Sequence, residues 1–144
     1  MKRILLTMVV TGLFVFGFTA CDNSADGVDA PEIAGVYSDG YGTHTVGNDT
    51  WKAEYPGADG GDPVTAVVEL TVVDNDADFT VGENADNTWS RYDWTVVGQD
   101  LYYCQIEYAA ASEDDALANE NADRTDPASS GCGGFAWSLL TPVE

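Results

Sequence analysis

The chain has 144 residues, enough for one domain with a modest core, and its 25 acidic against 5 basic side chains give a net charge of −20. That balance argues against nucleic acid as a partner and against adsorption to anionic lipid. Three cysteines and one histidine leave little material for a zinc centre or a histidine-based nucleophile.

Lys2 and Arg3 make a basic start, Ile4 to Phe18 is an apolar run too short for an ordinary membrane span, and Thr19 and Ala20 are small. Residues 1–20 therefore read as a secretory signal peptide. Phe18-Thr19-Ala20-Cys21 resembles the bacterial lipoprotein signal, whose cysteine is lipidated and becomes the new N-terminus. Phe18 departs from that pattern, which usually has Leu there. The alternative is an ordinary signal peptide cleaved near Ala20. Removing residues 1–20 takes away Lys2 and Arg3 and no acid, so the remainder carries about −22. This acidity suits salty or divalent-rich water, where counter-ions screen self-repulsion, and it also serves plain solubility. Residues 21–31 read as the lipidated Cys21 and a flexible polar tether, and 32–144 as a single β domain. The expected location is exported and anchored to a bacterial membrane through covalent lipid, in the periplasm or at the outer surface.

Strand signals then follow at short spacing. Ile33 to Tyr37 is a short strand, and Ser38 to Gly42 turns the chain. Thr43 to Val46 and Thr50 to Tyr55 come next, separated by Gly47-Asn48-Asp49. In the last run Trp51, Ala53 and Tyr55 face one way and Lys52 and Glu54 the other, as in a half-buried strand. Pro56 to Pro63 is an exposed loop. Val64 to Val73 is the longest candidate, with Ala66, Val68, Leu70 and Val72 on its expected buried face. Asp74-Asn75-Asp76 leads to a strand near Phe79 to Val81.

Trp89 to Tyr108 reads as a β-hairpin around Gly98-Gln99-Asp100. A three-residue loop sets Trp94 opposite Cys104, Tyr92 opposite Ile106 and Arg91 opposite Glu107. It gathers the apolar side chains on one face, where a two-residue loop mixes them with polar ones. That register places Trp94 over Cys104. Ser112 before Glu113, Asp114 and Asp115 is a helix N-cap with acids in the first turn, so one short helix is expected near 112–119. Phe135 to Leu140 is the closing strand. The whole reads as all-β: a small antiparallel meander forming an up-and-down barrel, lipocalin- or avidin-like in shape, or a sandwich.

If Cys21 carries lipid, Cys104 and Cys132 remain as an even pair in an oxidising compartment. A disulfide is then expected; a free pair or a metal site are the alternatives. Ile33-Ala34-Gly35 with Gly42-Thr43-His44-Thr45, Trp89 to Trp94, Leu101-Tyr102-Tyr103-Cys104-Gln105 and Gly131-Cys132-Gly133-Gly134-Phe135 with Trp137 carry a resemblance. Across most of 32–144 the chain resembles a family of small exported bacterial lipoproteins that is itself uncharacterised. The resemblance implies an exported domain with one disulfide and implies no activity.

His44 reads as a strand residue with a satisfied hydrogen bond, since no spacing singles out a nucleophile beside it. Asp74, Asp76 and Asp78 alternate like the start of a calcium loop, but Phe79 stands where that loop needs Gly and Ala85 where it needs Glu. They are a weak calcium candidate, and no other metal and no cofactor is expected. The polar face of the hairpin gathers Trp89, Arg91, Asp93, Tyr103, Gln105 and Glu107. Aromatic platforms beside forked donors and acceptors suit sugars or small polar ligands. The competing account is an Arg91–Glu107 pair on a solvated sheet. The functional expectation is a non-catalytic, lipid-anchored binding module rather than an enzyme. A purely structural envelope lipoprotein, or a secreted enzyme inhibitor presenting Pro56–Pro63 or Asn121–Gly131, are the alternatives.

Overall fold

A computed structural model of the chain describes residues 28–144. The expected signal peptide, Cys21 and the first part of the tether lie outside the described residues. The elements are β1 (Gly35–Ser38), β2 (Thr43–Val46), β3 (Thr50–Tyr55), β4 (Val64–Asp74), β5 (Phe79–Asn84), β6 (Trp89–Val97), β7 (Asp100–Ala110), α1 (Glu113–Leu117), β8 (Gly131–Cys132), β9 (Phe135–Ala136) and β10 (Ser138–Pro142). Eight of the strands close into an antiparallel barrel in the order β1-β10-β7-β6-β5-β4-β3-β2, while β8 and β9 pair only with each other. Neighbours in sequence are neighbours in the wall from β1 to β7, so the expected meander closes as a barrel and not as a sandwich. The expected helix forms, with Ser112 Oγ accepting from the Asp115 amide.

Closure makes every inward position face one lumen. Trp51, Val68, Leu70, Tyr92, Trp94, Tyr103, Val46 and Leu140 pack there, with Ile33 closing over them from the N-terminal side. Ile33 is not in a strand; it lies in a turn between Pro31 and Ala34, and Trp94 Nε1 donates to Glu32 Oε1 beside it at 3.2 Å. The chain before β1 therefore plugs one end of the barrel.

Two registers differ from expectation. In β4 a bulge between Leu70 and Val72 turns the chain over, so Val73 joins the lumen core and Val72 packs outside with Val81. In the β6–β7 hairpin the loop has two residues, Val97 pairs Asp100, and Trp94 lies opposite Tyr103 instead of Cys104. Gly98 takes a φ of 69° while Gln99 does not, the pattern of a type II′ turn with Gly first. Trp94 therefore points into the lumen and Cys104 outward, and Trp94 does not cover the disulfide. Arg91 does sit opposite Glu107, because bulges farther along the hairpin insert extra residues into β7.

The physical reason is that β6 is buried on both sides. Its outer face is covered by α1 and the excursion that follows, so a second small core of Val81, Ala110 and Ala116 forms outside the barrel with Phe79, Trp89 and Leu117. Polar residues on that face are not at solvent. Arg91 pairs with Asp93 through Nε to Oδ2 at 2.9 Å, donates from Nη1 to Leu117 O at 2.7 Å, and lies 4.2 Å over the Phe79 ring. Arg124 reaches the same carboxylate at 2.9 Å and also donates to the carbonyls of Trp94, Ala77 and Asp78. The excursion is thus folded down onto the wall. Cys104 and Cys132 form the expected disulfide, which ties the β8–β9 hairpin to β7.

Candidate functional site at the open end of the barrel

Side chains fill the lumen unevenly. On β3 and β4, Trp51 faces Val68 and both are buried. One inward step further, Ala53 faces Ala66, which is exposed; another step on, Tyr55 faces Val64, which is 61 % exposed. β5 stops earlier, its last pair being Asn84 with Val68, so the β3–β4 hairpin rises past its neighbour. Small inward residues and missing wall leave this end open, opposite the Ile33 plug.

Polar groups line the open half in two networks. In the first, Trp51 Nε1 donates to His44 Nδ1 at 3.1 Å. An indole N–H can only donate, so Nδ1 accepts and Nε2 carries the proton. Nε2 then donates to Asp39 Oδ2 at 3.1 Å, and the Tyr103 hydroxyl, 3.2 Å from Nε2, donates to the same oxygen at 3.4 Å. Burial pushes the Asp39 carboxyl up, but hydrogen bonds from the Tyr41 and Gly42 amides and from His44 outweigh it and hold its pKa below the ordinary value. Burial, with Tyr55 and Asp39 nearby, raises the Tyr103 phenol far above its usual value, so it remains a neutral donor. His44 itself is 1 % exposed and spends both ring nitrogens on this network, as its strand position led us to expect of a satisfied histidine.

The second network runs through Ser90, whose Oγ accepts from Gln105 Nε2 at 3.2 Å and lies 3.0 Å from Asn84 Oδ1. Tyr92 stands between the two networks, stacked on Trp51 with centroids 4.4 Å apart and planes 11° off parallel. Beside Tyr103 and Gln105 opens a cleft of about 230 Å³, bordered also by Tyr55, Tyr108, Ser138 and Phe135, with the disulfide in its wall.

The expected ligand face therefore divides. Tyr103 and Gln105 belong to the lumen and its cleft. Arg91 and Asp93 are buried under α1 on the outer wall, with Trp89 beside them. Glu107 accepts from Asn119 Nδ2 and from the amides of Tyr108 and Ala109, so it holds the chain after β7 and not Arg91. Asp39, Tyr108, Ser138 and Phe135 were not singled out from the sequence. Alternation had already set Tyr55 on the buried face with Trp51, and closure of the barrel is what brings it to Tyr103. Asp74 Oδ1 accepts from the amides of Asp76 and Ala77 and so shapes its turn, while Glu32, Arg124 and Asp74 are charged neighbours of Asp78. Among the described residues no group of three or more histidine, cysteine or carboxylate side chains is arranged to hold a metal.

No family model matches the chain, and no curated protein or solved structure matches it either.

Proposed function

We propose that the protein is a non-catalytic binding module for a small polar ligand, with a sugar as one such ligand, carried at a bacterial envelope by lipid on Cys21. The observation that supports binding is the division of the lumen: packed and plugged at one end, open at the other, with Tyr55, Tyr103 and Gln105 bordering a cleft. His44 offers no free ring nitrogen as a base, which supports binding over catalysis. The Asn121–Gly131 segment is pinned by Arg124 and by Trp137 Nε1 on Asp123 O, which weakens the inhibitor alternative for that loop. A purely structural envelope role predicts no saturable binding at all.

Titration of the purified protein with a panel of mono- and disaccharides and small polar solutes, read by tryptophan and tyrosine fluorescence, tests the binding reading. Saturable binding that Gln105→Ala weakens is the expected result. Absence of saturation across the panel leaves the structural alternative. For the anchor, mass spectrometry is expected to find a mature N-terminus at acylated Cys21, and an unmodified or different start refutes it.

A further inference from the structure

We propose that the ligand is a small organic cation bearing a quaternary or tertiary ammonium group, held against the aromatic rings of Tyr55, Tyr103, Tyr108 and Phe135. This rests on the reading of the cleft as a binding site and goes further by naming the ligand's chemistry.

Aromatic density is the first reason. Four of the side chains bordering the cleft are aromatic, and Gln105 and Ser138 supply the polar remainder. An alkylated ammonium has no hydrogen-bond fork to satisfy and is attracted to the negative faces of such rings. At about 230 Å³ the cleft is smaller than the several hundred cubic ångströms common for drug-sized ligands, so it selects a compact headgroup.

Charge is the second. Among the described residues no lysine or arginine borders the cleft. Arg91 and Arg124 are committed to Asp93 on the outer wall, and Lys52 pairs outward with Glu54 at 2.9 Å. A chain of net charge −20 draws cations toward its surface and repels anions, so an anionic ligand meets a hostile field and no partner. Asp39 adds a local term. Its carboxylate accepts from the Tyr103 hydroxyl at 3.4 Å, and a phenol donating to an anion carries a more electron-rich ring. Hydrogen bonds to Asp39 keep that carboxylate ionised, while burial keeps the Tyr55 and Tyr103 phenols protonated.

The test compares choline and tetramethylammonium with 3,3-dimethylbutan-1-ol, which has choline's shape without its charge, and with glucose, each titrated calorimetrically into the purified full chain. Tyr108 and Phe135 are 65 % and 78 % exposed, so their truncation leaves the core intact. Choline is expected to bind saturably and the neutral isostere at least roughly tenfold more weakly. Tyr108→Leu and Phe135→Leu are each expected to weaken choline roughly two- to fivefold, while Tyr108→Phe retains it. Equal binding of the isostere overturns the cation inference. Glucose binding without choline binding also overturns it, and leaves the binding-module reading standing. Failure of every probe, sugars included, overturns both.

Discussion

Asp93 is the charge on which the outer wall depends. Its side chain is 1 % exposed and faces Arg91, itself 6 % exposed, and Arg124, 34 % exposed. Asp93→Asn keeps the shape and removes the charge, leaving two guanidinium groups turned toward an uncharged amide. Removing one partner of a buried pair costs about 3–5 kcal/mol, because the remaining charge stays buried without compensation. Arg124 can turn partly to water, which favours the lower half of that range. Against a total stability of about 5–15 kcal/mol this is a large loss. It corresponds to a melting temperature lower by roughly 12–20 °C for a domain of this size. Urea denaturation followed by tryptophan fluorescence measures it, with the slope held common so that the midpoint reports stability. Glu54→Gln is the control: it breaks the Lys52 pair, whose side chains are 41 % and 44 % exposed, and such surface pairs contribute about 0–1 kcal/mol. If Asp93→Asn costs no more than Glu54→Gln, the account of the outer wall as a charge-dependent layer is refuted.

Cys132→Ala opens a disulfide with a sequence separation of 28 and is expected to cost roughly 2–5 kcal/mol. Hydrogen exchange should then rise first in β8, β9 and the segment after α1, and faster exchange throughout the lumen strands would contradict this. Asp39 has its folded pKa below the unfolded value, so its contribution is present above the unfolded pKa and lost as pH falls through the folded one. Asp39→Asn should therefore lower stability at neutral pH and flatten the loss on acidification; parallel acid curves for variant and parent refute the linkage. Asp78 has the opposite sign: burial and the charge on Glu32 raise its pKa. Its folded form is thus favoured below the unfolded pKa, and that advantage is lost as pH rises through the folded value. Asp78→Asn suits the left-handed φ of 58° and should match or exceed the parent's melting temperature at pH 7, the gap closing in acid.

Local pattern in the sequence carries much of this fold. The bounds of β2 and β3, the helix with its Ser112 cap and the pairing of Cys104 with Cys132 all follow from alternation, capping chemistry and cysteine count. The hairpin register does not, and the reason is specific. Choosing it required knowing which face of β6 meets water, and the answer is neither. Arg91 and Asp93 look like a solvated face because charge is ordinarily exposed. Here the chain after β7 folds back across them, a long-range event that no window of β6 records. Tyr103 and Gln105 look outward for the same reason, yet the open end of the lumen accommodates polar side chains. The cleft was legible only in fragments, since Tyr55, Tyr103 and Phe135 come from three distant stretches that meet only once the wall closes.

That closure is made where the ladder is thinnest. β1 and β10 share only the pairs Tyr37–Pro142 and Ser38–Thr141, and β10 meets β7 through three pairs from Ser138 to Leu140. The first strand and the last must find each other across most of the chain, so the seam is the slowest contact to form and the first to part. A chain made N-terminus first spends that interval as an unclosed curl with the edges of β1 and β7 bare. The final strand thus serves as a latch for the whole cylinder. Loss of residues 138–144 leaves two sticky edges that invite strand exchange between copies.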